Sequence, residues 1–319
     1  MPPVVRATPP RLCIMGPTAS GKTRLAVELV RRFPFDIISV DSAMVYRGMD
    51  IGTAKPDAEV LRIAPHRLID FLDPAERYSA ALFRKDCLRE LEQIDHSGRL
   101  PLLTGGTLLY FRALQQGLAV LPDADRAVRA RLDAEARERG LETLHARLAV
   151  VDPESARRIH PNDPQRIQRA LEVYELSGRP LSAHFADEVK DGAPQRLLKL
   201  AVAPSDRSVL RRRIEERFGQ MLEQGLVAEV ERLYRRGDLG PHLPSIRAVG
   251  YRQVWQYLAG ELDYAQMGER AIVATRQYAK RQLTWLRGDD DVIWLDAESP
   301  RLLDRTLHIL VQAGLVERL

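Results

Sequence analysis

The sequence predicts an α/β fold: a P-loop parallel sheet core flanked by helices, with an all-helical insertion domain. Three observations carry that prediction. Short apolar runs alternate with amphipathic stretches through the first third of the chain, the pattern of parallel strands joined by crossover helices. The segment Gly16–Thr23, GPTASGKT, has the spacing of a phosphate-binding loop and lies between such a strand and such a helix. From about Pro122 the strand pattern stops and only helical patterns and turn signals continue.

In chain order, residues 11–15 read as a buried strand, and a helix from about Lys22 to Arg32 follows the Gly-rich loop. Phe35–Asp41, FDIISVD, reads as a second buried strand ending in an acid. After a loop through MDIGTAKP, YSAALFRKDCLRELEQIDHSG is an amphipathic helix with Leu82, Cys87, Leu88 and Leu91 on its apolar face and Gly98 as its stop. LPLLTGGT is a third strand entering a Gly-Gly turn, and LLYFRALQQGL is the next helix. Residues 122–194 read as the insertion, and 1–121 with 195–319 as the core domain. LLKLAVAP returns to the sheet, the chain from Ser205 through TRQYAKRQLTWLRG is mainly helical, and DVIWLD is a short final strand. MPPVVRATPP at the start is a loose lead-in.

Composition excludes several classes. Of 319 residues, 45% are hydrophobic and 29% charged, the balance of a soluble globular protein. The net charge of +4 is mild, so the placement of basic clusters is more informative than their total. Cys13 and Cys87 are too far apart for a paired-thiol zinc site and read as reduced core residues, which suits the cytoplasm. No apolar run reaches the length of a membrane span, so no membrane partner is expected.

The loop has a physical case for polyphosphate. Gly16 and Gly21 let backbone approach an anion, and the following helix offers free N–H groups and the positive end of its dipole. Lys22 adds a point charge, and the Thr23 hydroxyl suits Mg²⁺. Which polyphosphate binds is left open by the loop, which by itself favours a kinase or nucleotide hydrolase. Asp41, at the C-terminal end of its strand, lies where open α/β sheets bind ligands. It reads either as a general base or as a capping or metal-supporting Asp. Thr107, after Gly105 and Gly106, can place a hydroxyl in the same crevice, or the segment is a plain tight turn.

GPTASGKT, DSAMVYRGMDIGTAKP, GGTLLYFRAL, RIHPNDPQRIQRALEVYELSG, IRAVGYRQ and KRQLTWLR, in this order from Gly16 to Arg287, together resemble the bacterial tRNA dimethylallyltransferases, also called tRNA isopentenyltransferases. The resemblance implies that the loop, Gly16, Pro17, Thr18, Ala19, Ser20, Gly21, Lys22 and Thr23, holds the diphosphate of dimethylallyl diphosphate, with Mg²⁺ on Thr23 and Arg217 as a further diphosphate contact. It implies transfer to N6 of the adenosine immediately 3′ of the anticodon, position 37, with Asp41 as general base and Thr107 positioning the reactants. It places the tRNA anticodon stem-loop on Asp41, Ser42, Ala43, Met44, Thr107, Arg129, Gln165, Arg166, Ile167, Gln168, Arg169, Arg247, Gly250, Tyr251, Arg252, Lys280 and Arg281. The target base must flip out of its stack.

Three basic runs fit an RNA partner, although each alone also reads as a solvated helix face. They hold Arg157, Arg158, Arg166 and Arg169; Arg207, Arg211, Arg212, Arg213 and Arg217; and Arg276, Lys280, Arg281 and Arg287 with Tyr278 and Trp285 interleaved. Arg212 and Arg213 near Glu215 and Glu216 also read as surface ion pairs. Trp255, Tyr257 and Trp294 read as packing residues; His160 and His184 as RNA contacts or helix-end polar groups; His66 as a residue positioning its loop. Met44 stands where some members of the family carry a glutamine, and the two distant cysteines exclude the zinc finger of longer eukaryotic members. A monomer is expected. The competing readings are an ATP-dependent small-molecule kinase using the same loop and a non-catalytic RNA-binding protein.

Overall fold

In the computed structural model, which describes residues 10–187 and 195–317, the chain divides into two compact units, 1–115 with 195–319 and 116–194. The lead-in reading for residues 1–9 lies outside the described residues.

The larger unit is built on β1 (Arg11–Met15), α1 (Lys22–Arg32), β2 (Phe35–Val40), α2 (Ala58–Ile63), β3 (His66–Arg67), α3 (Ala80–His96), β4 (Leu100–Gly105) and α4 (Leu108–Gln116). With β5 (Leu197–Ala203) and β6 (Val292–Asp296) from the C-terminal half, six strands form one parallel sheet in the order β3-β2-β4-β1-β5-β6. Both of its faces are covered, which is why its strands read as continuous apolar runs. Successive residues of β1 point to opposite sides. Leu12 and Ile14 join Leu25 and Leu29 of α1, whereas Cys13 and Met15 join Phe83, Cys87 and Phe111 of α3 and α4.

The apolar face of α3 is the expected one at Cys87, Leu88 and Leu91, and departs from it at Leu82. Ser79 caps the helix through Leu82 N–H, and Phe83, Cys87, Leu91 and Ile94 form the buried stripe. Leu82 lies roughly 100° around the helix from Phe83, and it is 45% exposed. The strand β3 escaped the sequence because two residues carry no period; it is recruited by pairing with Ile37 and Ile38.

The smaller unit contains α5 (Arg126–Arg139), α6 (Leu141–Val151), α7 (Pro153–Arg158), α8 (Pro164–Ser177) and α9 (Leu181–Ala186), with no strand among its described residues. Asp125, Asp152 and Asp163 cap α5, α7 and α8, and Gly178 ends α8 at φ +69. Leu132, Leu144, Leu148, Ile167 and Leu171 centre its core.

The chain returns to the larger unit through β5 (Leu197–Ala203), α10 (Arg207–Glu223), α11 (Leu226–Tyr234), α12 (Tyr251–Leu258), α13 (Tyr264–Arg287), β6 (Val292–Asp296) and α14 (Leu302–Gln312). Trp255 is core, packed on Tyr234. Trp294 departs from expectation: β6 is an edge strand paired only with β5, and the indole keeps 36% exposure. Helices α10 to α13 bury the loop after β2, with Val45, Tyr46 and Met49 packed among Leu226, Val230 and Tyr251.

Candidate active site

The C-terminal ends of β1, β2 and β4 open into one cavity of about 400 Å³, lined wholly by the larger unit. Each strand delivers one motif. From β1 the chain enters the loop Gly16–Thr23. A Cβ on Gly16 would collide with the Val202 carbonyl, so only glycine fits there. Ala19 takes φ +61 and Gly21 φ +90, the turn that lets α1 start at Lys22. The Ser20 hydroxyl is buried without a hydrogen-bond partner among the described residues. Lys22 Nζ donates to the Pro17 carbonyl at 3.0 Å. Burial pushes its ammonium down to about 8, against the pull of Asp41 and with the push of Arg217.

From β2 comes Asp41. Its Oδ1 accepts Ala43 N–H at 2.8 Å and Met44 N–H at 3.3 Å, so the carboxylate shapes its own turn. Its Oδ2 takes no hydrogen bond from a described residue. The capping reading and the base reading therefore use different oxygens of one side chain. From β4 comes Gly105-Gly106-Thr107. Thr107 Oγ1 accepts Ser42 N–H at 3.1 Å and donates to Ser42 Oγ at 3.4 Å, while Thr107 itself stands beside the cavity and not in its lining. Burial and Asp41 push the Tyr278 phenol up to about 12, with the Thr107 hydrogen bond and Arg281 opposing.

Helix α10 brings Arg217 into the cavity, where burial lowers its pKa and Asp41 raises it. Lys22 and Arg217 thus place two partly desolvated cations around a single carboxylate. Such a site is completed by an anion with more than one charge. The hard-oxygen donors present, the Thr23 hydroxyl beside a phosphate-shaped loop, fit Mg²⁺, which keeps most of its ligands from phosphate and water. No cluster of three His, Cys, Asp or Glu side chains suited to a metal exists among the described residues.

The structure gathers Thr18, Ala19, Lys22, Thr23, Asp41, Ser42, Ala43, Met44, Arg217, Arg247, Gly250 and Arg281 around this cavity. Met44 is held by the Ser39 hydroxyl, which donates to Sδ at 3.8 Å. Arg252 and Lys280 are exposed outside the lining. The side chains of two expected RNA contacts are buried. Tyr251 is fully buried, with its hydroxyl spent on Glu229, and Gly52 has no room for a Cβ against its ring. Ile167 is fully buried in the helical unit's core.

In that unit, Gln165 and Arg166 are exposed, while Gln168 donates to Asp133 Oδ1 at 2.6 Å. Arg129 and Arg169 both grip the fully buried Glu172, at 2.7 and 2.6 Å. Burial raises the Glu172 pKa, but the two guanidinium groups outweigh it and hold the carboxyl below its usual range. In the α10 run, Arg212 pairs with Glu216 at 3.6 Å and Arg213 with Glu298, and Arg276 of α13 pairs with Glu215. His160 and His184 make local hydrogen bonds, to Asn162 N–H and the Ser177 hydroxyl.

The sequence gave Gln282 no role and placed Tyr278 only among the aromatics of a basic run. Both stand on α13, and both reach the cavity. Gln282 had a signal: it is a polar side chain on a stripe otherwise formed by Ala271, Ala279 and Leu286, and buried polar groups are there to be hydrogen-bonded.

Known proteins converge on the same reading. The IPP transferase family model matches residues 44–289. A tRNA dimethylallyltransferase of Thioalkalivibrio sulfidiphilus is 65% identical over 291 residues, covering 91% of either chain. The crystal structure of a full-length tRNA isopentenylpyrophosphate transferase from Bacillus halodurans matches with a TM-score of 0.70 at 37% identity, covering 97% of both chains. A eukaryotic dimethylallyltransferase captured acting on tRNA matches with a TM-score of 0.79 at 25% identity, covering 96% of this chain and 79% of that one.

Proposed function

The chain belongs to the IPP transferase family, and on that premise we infer that it prenylates tRNA. It moves the dimethylallyl group of dimethylallyl diphosphate to N6 of the adenosine immediately 3′ of the anticodon, position 37, and releases diphosphate. The observation that carries this reading is the meeting, in one cavity, of the loop with Lys22 and Arg217 and the carboxylate of Asp41. The kinase reading of the same loop is not favoured by a relative 65% identical over nine-tenths of the chain.

The reaction breaks the allylic C–O bond, forms a C–N bond and releases one proton from N6. The Lys22 ammonium, the Arg217 guanidinium and the loop N–H groups neutralise the charge that develops on the departing diphosphate. Mg²⁺ held at the Thr23 hydroxyl would add a Lewis acid on the same oxygens. Asp41 Oδ2 receives the N6 proton, while Oδ1 keeps its turn. Thr107, held by Ser42, orients the reacting groups. For the anticodon stem-loop the larger unit exposes Arg247, Arg252, Lys280 and Arg281; the helical unit, taken by itself, exposes Gln165 and Arg166. The two free, buried cysteines suit a reducing cytoplasm, and a monomer is the working state we expect. No described helix is long and apolar enough to cross a membrane.

The test is a mixture of the protein, Mg²⁺ and an unmodified anticodon stem-loop with either dimethylallyl diphosphate or ATP. One dimethylallyl group gained at the adenosine, in the first arm alone, is the expected result. ADP formed in the second arm with unmodified RNA in the first would return the loop to a kinase.

A further inference from the structure

One primary amide joins two walls of the cavity. Gln282 Oε1 accepts the Thr18 N–H of the phosphate loop at 3.0 Å, and its Nε2 donates to the Gly106 carbonyl at 2.8 Å. The side chain is 5% exposed. The assignment of oxygen and nitrogen follows from the partners, since one is an obligate donor and the other an obligate acceptor. Among the twenty side chains, an amide of this length is suited to answer both without a titration. Close packing marks the same spot: a Cβ on Gly106 would collide with Nε2 of Gln282, so the second glycine of the turn is there to admit this amide.

The consequence lies in what each wall carries. Thr18 precedes Ala19, whose φ of +61 is a conformation that non-glycine residues adopt at a cost. Gly106 precedes Thr107, which holds Ser42 beside Asp41. Gln282 stands on α13, a 24-residue helix with a capping box at its start, and that helix also presents Tyr278 and Arg281 to the cavity. We propose that Gln282 is a positioning residue for the transfer reaction: its amide sets the separation between the loop that holds the leaving group and the turn that holds the acceptor side. This rests on the prenyl-transfer reading above. The amide also takes the Thr18 N–H out of the set available to phosphate.

Positioning predicts a loss in kcat that binding does not mirror. Gln282→Leu keeps volume and removes both hydrogen bonds; Gln282→Glu keeps the acceptor and turns a carboxylate oxygen toward the Gly106 carbonyl. Both should lower kcat by about tenfold or more, with KM for the stem-loop changed by less than about threefold. A cycle with Gly106→Ala separates this from general loosening. That substitution should cost about tenfold beside Gln282 and far less in a Gln282→Ala background, where the collision is gone. Amide exchange at Thr18, slow in the natural protein and faster in Gln282→Leu, reads the bridge without any assay of transfer. It would stand even if the natural protein failed to prenylate RNA, a failure that would overturn the functional reading alone. A natural kcat in Gln282→Leu, or costs of Gly106→Ala and Gln282→Ala that multiply independently, would overturn the positioning role; unchanged Thr18 exchange would overturn the bridge.

Discussion

Tyr251 donates its hydroxyl to Glu229 Oε1 at 2.5 Å, and neither side chain is more than 2% exposed. Glu229 also accepts the N–H groups of Asp50, Ile51 and Gly52, at 3.0, 2.8 and 3.2 Å. One buried carboxylate thus fastens the loop after β2, whose Gly52 and Thr53 line the cavity, to the start of α12, just past Gly250 of the opposite wall. A residue carried over as an RNA contact is therefore a strut.

Tyr251→Phe should remove one hydrogen bond and lower stability by about 1–2 kcal/mol. Glu229→Ala should cost roughly 3 kcal/mol or more, because it strands three backbone donors and a phenol together. Urea unfolding of the two variants checks the order. Equal midpoints would mean that Glu229 does no more than hold Tyr251.

Lys22 gives a pH dependence with a definite sign. Burial brings its ammonium down to about 8 in the free protein. The charge that attracts diphosphate is present below that value and is lost as pH rises through it. Binding an anion favours the charged form, so the free protein must take up a proton to bind above pH 8. The Kd for dimethylallyl diphosphate should rise between pH 7 and 9, approaching about tenfold per unit at the upper end. Lys22→Met should bind weakly, with that component of the pH dependence gone. Calorimetric titration across the range checks both, and an identical slope in the two proteins would remove Lys22 as its source.

Arg166 and Arg169 stand three residues apart on α8 and should behave differently. Arg166 is 67% exposed, with Asp163 at 3.4 Å, whereas Arg169 grips the buried Glu172. Arg166→Ala should leave the melting temperature in place and reduce the salt slope of RNA binding by about 1. Arg169→Ala should cost about 1–3 kcal/mol of stability, since it takes one of two guanidinium groups from a buried carboxylate. The Glu172 carboxyl is held below its usual range, so its contribution is present at neutral pH and is lost as pH falls through that lowered value. Thermal melts at pH 7 and in acid, beside RNA titrations in a salt series, check the pair.

How much of this was legible follows from what kind of signal each residue leaves. The placement of the loop, Asp41 and Thr107 at the ends of β1, β2 and β4 was readable because strand, turn and helix signals are local. The parallel sheet was readable because strands such as β1 are buried on both faces and so are apolar throughout. Burial of single residues within a motif was not: Tyr251 and Ile167 sit among charged and polar neighbours, and only the packed structure shows which way they face. Gln282 lies 264 residues from Thr18 and 176 from Gly106, and no local pattern encodes a bond across such distances. In α3, Leu82 and Phe83 are both apolar, and which one joined the core depended on the helix's docking against the sheet.

Asp41 and Thr107 separate chemistry from binding. Asp41 holds its turn with one oxygen and offers the other, so Asp41→Asn should keep the turn, since the amide oxygen can still accept from Ala43 and Met44. What it loses is basicity. The transfer rate should fall by about 10²–10⁴, with stem-loop affinity near that of the natural protein. Asp41→Ala loses the turn as well, and should add a rise in KM to the same fall in rate. Thr107→Ala removes the acceptor for Ser42 N–H, and a smaller loss than that of Asp41→Asn is expected because no proton depends on it. Single-turnover kinetics with saturating RNA reads the chemical step directly. If Asp41→Asn kept its full rate there, the carboxylate would be a structural cap and the proton would leave N6 by another route.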